Sequence, residues 1–354
     1  MSDRAISVAG QQSEPEVSVI VPARNEEACI GTCLVSLVGQ TGVTRELILV
    51  DDGSTDRTRE IAAGFPEVRV LEAGPRGDGW GGKSNALWRA AQQARGAWLL
   101  FTDADTVHLP GSLARAVAEA KAADVALLSY SPEQEVRGVW ENAVMPVIFA
   151  ELAARFRPQD VCDPKSAAAA ANGQYLLIAR EAYFAVGGHA GVATSLLEDV
   201  ELARALKRSG RAIGFRFGGD AVRTRMYRNF PQLCEGWTKN LALLFPSTVG
   251  LALLRMAEFV VIVGTVAVAM SELLRARVAP AGLLAVVAVM FYSLFFARIR
   301  RAHFGMGASL LALLGLPVFS LLLLRSHIHY KVRKSVTWKG REYEVKQPAE
   351  AGPR

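Results

Sequence analysis

Two aspartates one residue apart, Asp103 and Asp105, follow the apolar run Trp98–Phe101. Carboxylates so spaced at the end of a strand can hold a hard divalent cation, Mg²⁺ or Mn²⁺, through oxygen. Such a cation keeps positions open for a substrate diphosphate and neutralises charge on a departing one. Short Asp-x-Asp strings also occur in solvated loops, so the pair gains meaning only from its company. Asp51-Asp-Gly-Ser-Thr-Asp56 likewise follows an apolar run and opens a helix, where Asp52 can accept hydrogen bonds from a base and ribose. Turn and N-cap chemistry is the plainer use of such residues.

Glu198 and Asp199 head the stretch Glu-Asp-Val-Glu-Leu-Ala-Arg. Acidic residues at a helix start are favoured by the helix dipole, and many serve nothing further. The functional alternative makes Asp199 a general base that takes a proton from an attacking hydroxyl, with Glu198 orienting that acceptor. Arg225-Met-Tyr227 and Gly236-Trp237-Thr-Lys-Asn precede the first long apolar block, where they suit either a membrane surface or closure over an acceptor.

A rival chemistry is present. From Gly77 the chain reads Gly-Asp-Gly-Trp-Gly-Gly-Lys-Ser, which satisfies the P-loop spacing with Lys83 as the phosphate-binding lysine. Against an ATPase or GTPase, Asp78 and Trp80 would sit where backbone amides must approach phosphate. The clusters at Pro22–Glu27 and Asp51–Asp56 would also be left without a task.

Apolar runs alternating with helical patterns must position these residues. Strands are expected at Val17–Val21, Leu47–Val50, Val68–Leu71, Trp98–Phe101 and Val125–Leu128. Helices are expected at Glu26–Val38, from near Thr55, at Ser84–Ala94 and at Ser112–Ala122. That alternation implies an α/β fold with a mainly parallel sheet covered on both faces. Ligands then sit beyond the carboxyl ends of the strands, where the polar clusters fall. Further on, Val136–Phe156 is an amphipathic helix, core or interfacial. Tyr175–Ile178 is a strand, Leu196–Arg208 a helix and Ile213–Phe217 a last strand.

The composition, 51% apolar and 21% charged, hides an asymmetry, because the stretch 241–325 is mostly hydrocarbon. Apolar segments near 248–271, 278–297 and 304–324 approach the ~20 residues of a bilayer crossing. The first contains Arg255 and Glu258, spaced to pair on one helical face. Three crossings is the simplest count, yet it puts the basic tail opposite the preceding domain, against the positive-inside tendency. The net charge of +6 gathers beside these segments rather than in a patch with interleaved aromatics. A membrane partner is therefore expected and a nucleic-acid one is not. The polar N-terminus lacks an apolar signal region. Cys29, Cys33, Cys162 and Cys234 form no C-x-x-C pair, which fits a reduced compartment.

In their order, Val-Ser-Val-Ile-Val-Pro-Ala-Arg-Asn-Glu-Glu (17–27), Asp-Asp-Gly-Ser-Thr-Asp, Gly-Lys-Ser-Asn-Ala-Leu, Thr-Asp-Ala-Asp and Glu-Asp-Val-Glu-Leu resemble the family 2 glycosyltransferases of the GT-A fold. The resemblance spans roughly Val17 to Asn240. It implies that Pro22, Arg24, Glu26 and Asp52 line a nucleotide pocket with Lys83 nearby. It further implies that Asp103 and Asp105 form the metal and diphosphate site, that Asp199 is the base, and that the anomeric carbon is inverted. Gly-Trp-Gly-Gly-Lys, Arg-Met-Tyr-Arg and the apolar C-terminal part are similar to carotenoid- and hopanoid-associated members of the diaponeurosporenoate glucosyltransferase type. Processive polysaccharide synthases of the family carry Gln-x-x-Arg-Trp, whereas Gln232-Leu-Cys-Glu-Gly236-Trp237 has glycine in place of the arginine.

The expectation is thus a disordered segment 1–15, a catalytic domain 16–240 facing the cytoplasm, a transmembrane region 241–325 and a basic tail 326–354. Its activity would be transfer of a single hexose from a UDP-sugar to a lipid-like acceptor. Arg225, Tyr227 and Trp237 would close the acceptor side.

Overall fold

The computed structural model describes residues 14–338 and 341–344. The expected disordered segment therefore lies almost wholly outside the described residues, as does the tail beyond residue 344. The chain forms two compact units, one running to Pro132 and resuming over Pro158–Thr224, the other comprising Glu133–Arg157 and the residues from Arg225. Residues 133–157 and 225–240, expected in the soluble domain, thus group with the apolar helices.

The first unit contains β1 (Val17–Ala23), α1 (Ile30–Val38), β2 (Arg45–Asp51), α2 (Thr58–Ala63), β3 (Val68–Glu72) and α3 (Gly82–Ala91). It continues with β4 (Trp98–Phe101), β5 (Thr106–His108), α4 (Ser112–Ala122) and β6 (Leu127–Ser131). The chain enters the second unit for β7 (Glu133–Gln134) and α5 (Val139–Arg155). It returns for α6 (Pro158–Cys162), β8 (Leu176–Ala179), α7 (Arg180–Ala185), α8 (Gly188–Gly191), α9 (Glu198–Arg208), β9 (Ile213–Phe217) and β10 (Val222–Thr224). The second unit is completed by α10 (Phe230–Leu244), α11 (Thr248–Leu274), α12 (Val278–Ile299), α13 (Met306–Ile328) and the antiparallel pair β11 (Ser335–Trp338) and β12 (Arg341–Glu344).

In the first unit a seven-stranded sheet runs β3-β2-β1-β4-β8-β6-β9. The β-branched run of β1 is buried along nearly its whole length, as the central strand of a doubly covered sheet must be. Its one buried hydroxyl, Ser18, is satisfied by Glu46 at 2.6 Å and by the Gly96 amide at 2.8 Å. The strands β3, β2, β1 and β4 are mutually parallel, whereas β8 is antiparallel to both β4 and β6. Register places Ala23 opposite Asp51, so the loops leaving β1 and β2 emerge side by side.

Two helices begin later than their periodicity implies. Residues 25–27 bind residues 55 and 56 and the Thr58 side chain at the start of α2, instead of extending α1 and α2 toward their N-termini. Asn25, at φ 53°, receives the Thr55 amide on its side-chain oxygen at 2.8 Å. The Glu26 amide donates to the Thr58 hydroxyl at 2.7 Å and the Glu27 amide to Asp56 at 3.1 Å. Short polar side chains that take backbone partners in this way compete with helix formation. The fifth expected strand also shifts, to Leu127–Ser131, because Asp124 at φ 50° holds the preceding turn. The short antiparallel pair β5 and β10 had no sequence signal.

The second unit packs α5, α10 and the three long helices around a core that includes Val144, Ile148, Trp237, Phe295 and Phe319. The expected amphipathic helix is α5, with its middle buried in that core. Each of α11, α12 and α13 is long and apolar enough to cross a membrane.

Candidate active site

The carboxyl ends of β1, β2 and β4, together with the starts of α3 and α9, bring the chemical residues of the first unit together. Pro22 is the penultimate residue of β1, opposite Val50. Two residues later, just past the end of β1, Arg24 reaches Asp52, donating to its carbonyl oxygen at 3.4 Å and lying 3.9 Å from its carboxylate. Burial, and then neighbouring Asp51, raise the Asp52 carboxyl above its ordinary range, while Arg24 and Arg76 oppose that rise. Glu26 is part of the stitched loop, with its amide on Thr58. Asp51, buried, receives the Ser54 amide at 3.1 Å and so shapes the turn that presents Asp52.

Lys83 is the second residue of α3, and its ammonium lies 2.8 Å from Asp103 and 3.2 Å from Glu198. Partial burial alone would lower its pKa. The charges of Asp103, Glu198 and Asp199 outweigh that burial and hold Lys83 well above the usual lysine range. Glu198 is the first residue of α9 and is nearly buried. Asp199 beside it accepts the Gly173 amide at 2.8 Å and the Val200 amide at 2.8 Å. Burial and the adjacent Glu198 push the Asp199 carboxyl up to about 6, against Lys83 and these two amides. Three segments that are far apart in sequence thus meet around one ammonium group.

Asp103 and Asp105 stand on the turn between β4 and β5, and the backbone of that turn is fastened from below. The Asp103 carbonyl accepts the Thr106 hydroxyl at 2.7 Å, and the Asp105 carbonyl accepts the Thr224 hydroxyl at 3.2 Å. Thr102 and Thr106 both contact Nε2 of His108, at 3.0 and 3.3 Å. Burial drives the His108 pKa down to about 3, so the ring is neutral.

Among the described residues no group of three or more His, Cys, Asp or Glu is placed to hold a metal ion. Two carboxylates on a rigid turn fit a different cation chemistry. Mg²⁺ is commonly held by one or two carboxylates, with substrate phosphates and water completing its coordination.

Gly173 belongs to this site although sequence reasoning passed over it. A Cβ there would stand 2.9 Å from Lys83 Nζ and 3.4 Å from Asp199 Oδ2. The Asn-Gly pair before β8 signalled only a turn.

The P-loop reading fails on the same geometry. Amides that should face phosphate are used inside the protein: Trp80 donates to Gly77 and Gly81 to Ala193. Trp80 also fills the space beside Gly77, and the lysine faces three carboxylates.

The residues expected to close the acceptor side lie in the second unit. Arg225 pairs with Glu141 at 2.9 Å. Tyr227 and Trp237 are buried, with the Trp237 ring nitrogen 3.4 Å from the Met145 sulfur. Gly236 lies against the Tyr227 ring so closely that a Cβ would collide with it.

Comparison with known proteins follows the same lines. The pattern of glycosyl transferase family 2 matches residues 18–178. The chain is similar to the 4,4'-diaponeurosporenoate glycosyltransferase of Staphylococcus haemolyticus, with 30% identity over 250 residues that cover 67% of this chain and 64% of that protein. The protein of the same name from Staphylococcus aureus strain MRSA252 is 30% identical over 231 residues, covering 64% and 60%. The chain therefore spans less than two thirds of the length of these relatives. Among solved structures it resembles a mannosyltransferase from Pyrobaculum calidifontis in complex with GDP-Man and Mn²⁺. That likeness has a TM-score of 0.52 at 17% identity and covers 91% of this chain and 89% of the other. Residues 18–178, on a GT-A fold, are thus a glycosyl transferase family 2 domain.

Proposed function

We propose that the first unit binds a nucleotide-sugar and transfers a single hexose from it, with inversion, to a lipid-like acceptor at a membrane held by the second unit. The observation that carries this reading is the convergence of Asp103, Glu198 and Asp199 on Lys83 at the carboxyl edge of the sheet.

In this reading Pro22, Arg24, Glu26 and Asp52 border the nucleoside, and Asp52 accepts from the ribose hydroxyls. Asp103 and Asp105 would hold Mg²⁺ or Mn²⁺, which when bound neutralises the diphosphate as it leaves. Lys83 adds a fixed positive charge beside the diphosphate, and its three carboxylates keep it protonated at any working pH. Asp199, with a raised pKa and two amides that fix its orientation, takes the proton of an attacking hydroxyl. Glu198 then orients the acceptor.

A diaponeurosporenoate is a carboxylate by its name, and an acceptor of that kind is already ionised near neutral pH. Transfer to it would need little from Asp199. Single transfer is favoured over chain synthesis by Gly236, where the Tyr227 ring occupies the space an arginine side chain would need.

Binding of UDP-, GDP- and dTDP-sugars, ATP and GTP to the detergent-solubilised protein, with and without Mn²⁺, tests the reading. Metal-dependent binding of one nucleotide-sugar, lost in Asp105→Ala, is expected. Binding of ATP or GTP alone would overturn it.

A further inference from the structure

We infer that α11 and α12 cross the bilayer as a helical hairpin while α13 does not, so that α13 ends on the membrane face from which α11 starts. In three successive crossings the end of the third helix lies across the membrane from the start of the first. Here those two ends touch. The Thr248 hydroxyl at the start of α11 is 3.0 Å from Nδ1 of His327 at the end of α13. One residue away, the Ser326 hydroxyl donates to the Thr238 carbonyl at 2.7 Å and accepts the Ala242 amide at 2.9 Å, both on α10. Tyr330 donates to the Lys239 carbonyl at 2.5 Å. A hydrocarbon core is about 30 Å thick, so contacts of 3 Å place these ends on one face.

The hairpin is closed at its base by charge. Arg298, at the end of α12, lies 2.6 Å from Glu258, one third of the way along α11, and both Arg298 and Arg255 pair with Glu151 of α5. Beyond that level α11 rises about 24 Å to Leu274, and α12 spans about 30 Å from Val278 to Arg298, at 1.5 Å per residue. Those lengths match a bilayer core, and the side chains suit it. Only 11% and 17% of the most apolar stretches of α11 and α12 are buried within the protein.

For α13 the share is 50%. Its Ala308, Ala312, Leu316, Phe319 and Leu323 stripe is buried, and Gly315 meets the α5 backbone so closely that a Cβ would strike the Ala143 carbonyl. The opposite stripe, Met306, Leu310, Leu314 and Leu321, is exposed and apolar, so α13 meets lipid on one face while protein covers the other.

The basic residues agree. Two crossings gather Arg300, Arg301, Arg325, Lys331, Arg333 and Lys334 on one face. The hairpin tip keeps Arg275 and Arg277, both paired with Glu272 at 3.1 and 3.4 Å. By the positive-inside tendency the first face is cytoplasmic.

The test is independent of catalysis. Ser247→Cys, Arg277→Cys and Val332→Cys, all exposed positions, are made singly in the full chain and expressed in cells. A membrane-impermeant maleimide is added to intact or opened cells, and labelling is read site by site by mass spectrometry with the native cysteines in place. The expected result is Arg277→Cys labelled in intact cells, and the other two only after opening. Val332→Cys labelled together with Arg277→Cys would establish a third crossing and overturn the inference. All three labelled under one condition would show that the hairpin does not cross, and a reversed pattern would overturn the orientation.

Discussion

Asp199 carries the sharpest prediction at the scale of single residues. Its carboxyl is raised by burial and by Glu198, yet a base must be ionised to accept a proton. With a hydroxyl acceptor, turnover should therefore fall about tenfold per pH unit once pH drops below about 6. Asp199→Asn should cost roughly 10²–10⁴-fold in kcat and abolish that limb of the profile. With a carboxylate acceptor both effects should be small, so one pair of pH–rate curves tests the role and the acceptor class together. Gly173 makes a steric claim. An alanine there would push the Lys83 ammonium away from Asp103 and Glu198 while leaving the fold intact, since only a flexible side-chain tip must move. Losing one charge-assisted contact is worth about 1.5–3 kcal/mol, so Gly173→Ala should raise the KM for the donor about tenfold or more. Its melting temperature should stay near that of the parent, and a collapse of folding would contradict the claim.

At the scale of elements, the places of the central strands followed from periodicity, because β1, β2 and β4 are buried on both faces and read as apolar runs. The starts of α1 and α2 did not. They depend on Asn25, Asp56 and Thr58 bonding across loops about thirty residues apart, which local propensity does not encode. Asp103, Asp105 and Asp199 were visible as motifs. The strands β5 and β10 that fasten the Asp103–Asp105 turn were not, since three-residue strands carry no periodicity. His108 and His189 belong to this invisible layer. Burial lowers their pKa values to about 3 and about 4, far under the 6.5 of an exposed ring. The sign follows: at pH above 6.5 both states are neutral, and as pH falls the unfolded chain gains protons that the folded one refuses. Stability should thus be complete above pH 6.5. Below that it should be lost by up to about 1.4 kcal/mol per pH unit for each ring. Urea midpoints at pH 7 and pH 5 measure this loss, and His108→Asn should remove about half of the slope.

For the whole molecule, the division into two units explains why a boundary drawn where hydrophobicity rises, near residue 240, differs from the one the contacts make. Residues 133–157 are unremarkable in composition, yet α5 meets α13 at Gly315, supplies Glu151 to both arginines, and so forms the floor of the helical unit. No sequence window of ordinary length contains Glu151, Arg255, Glu258 and Arg298 together. Only the Arg255–Glu258 spacing was legible. The four charges sum to zero and their side chains are at most 21% exposed, so each depends on the others for solvation. Removing one member strands an opposite charge in an apolar setting, which costs roughly 3–5 kcal/mol, whereas replacing charged partners together by apolar or neutral groups can be nearly neutral. Arg298→Met alone should therefore lower the melting temperature of the detergent-solubilised protein sharply. Arg298→Met combined with Glu258→Gln should recover most of that loss. If the single variant melts like the parent, the cluster is solvated from outside the protein and does not close the hairpin's base. If the double variant melts no higher than the single, the Glu258–Arg298 pair is not the contact that matters, and Glu151 alone must hold α12 to α5.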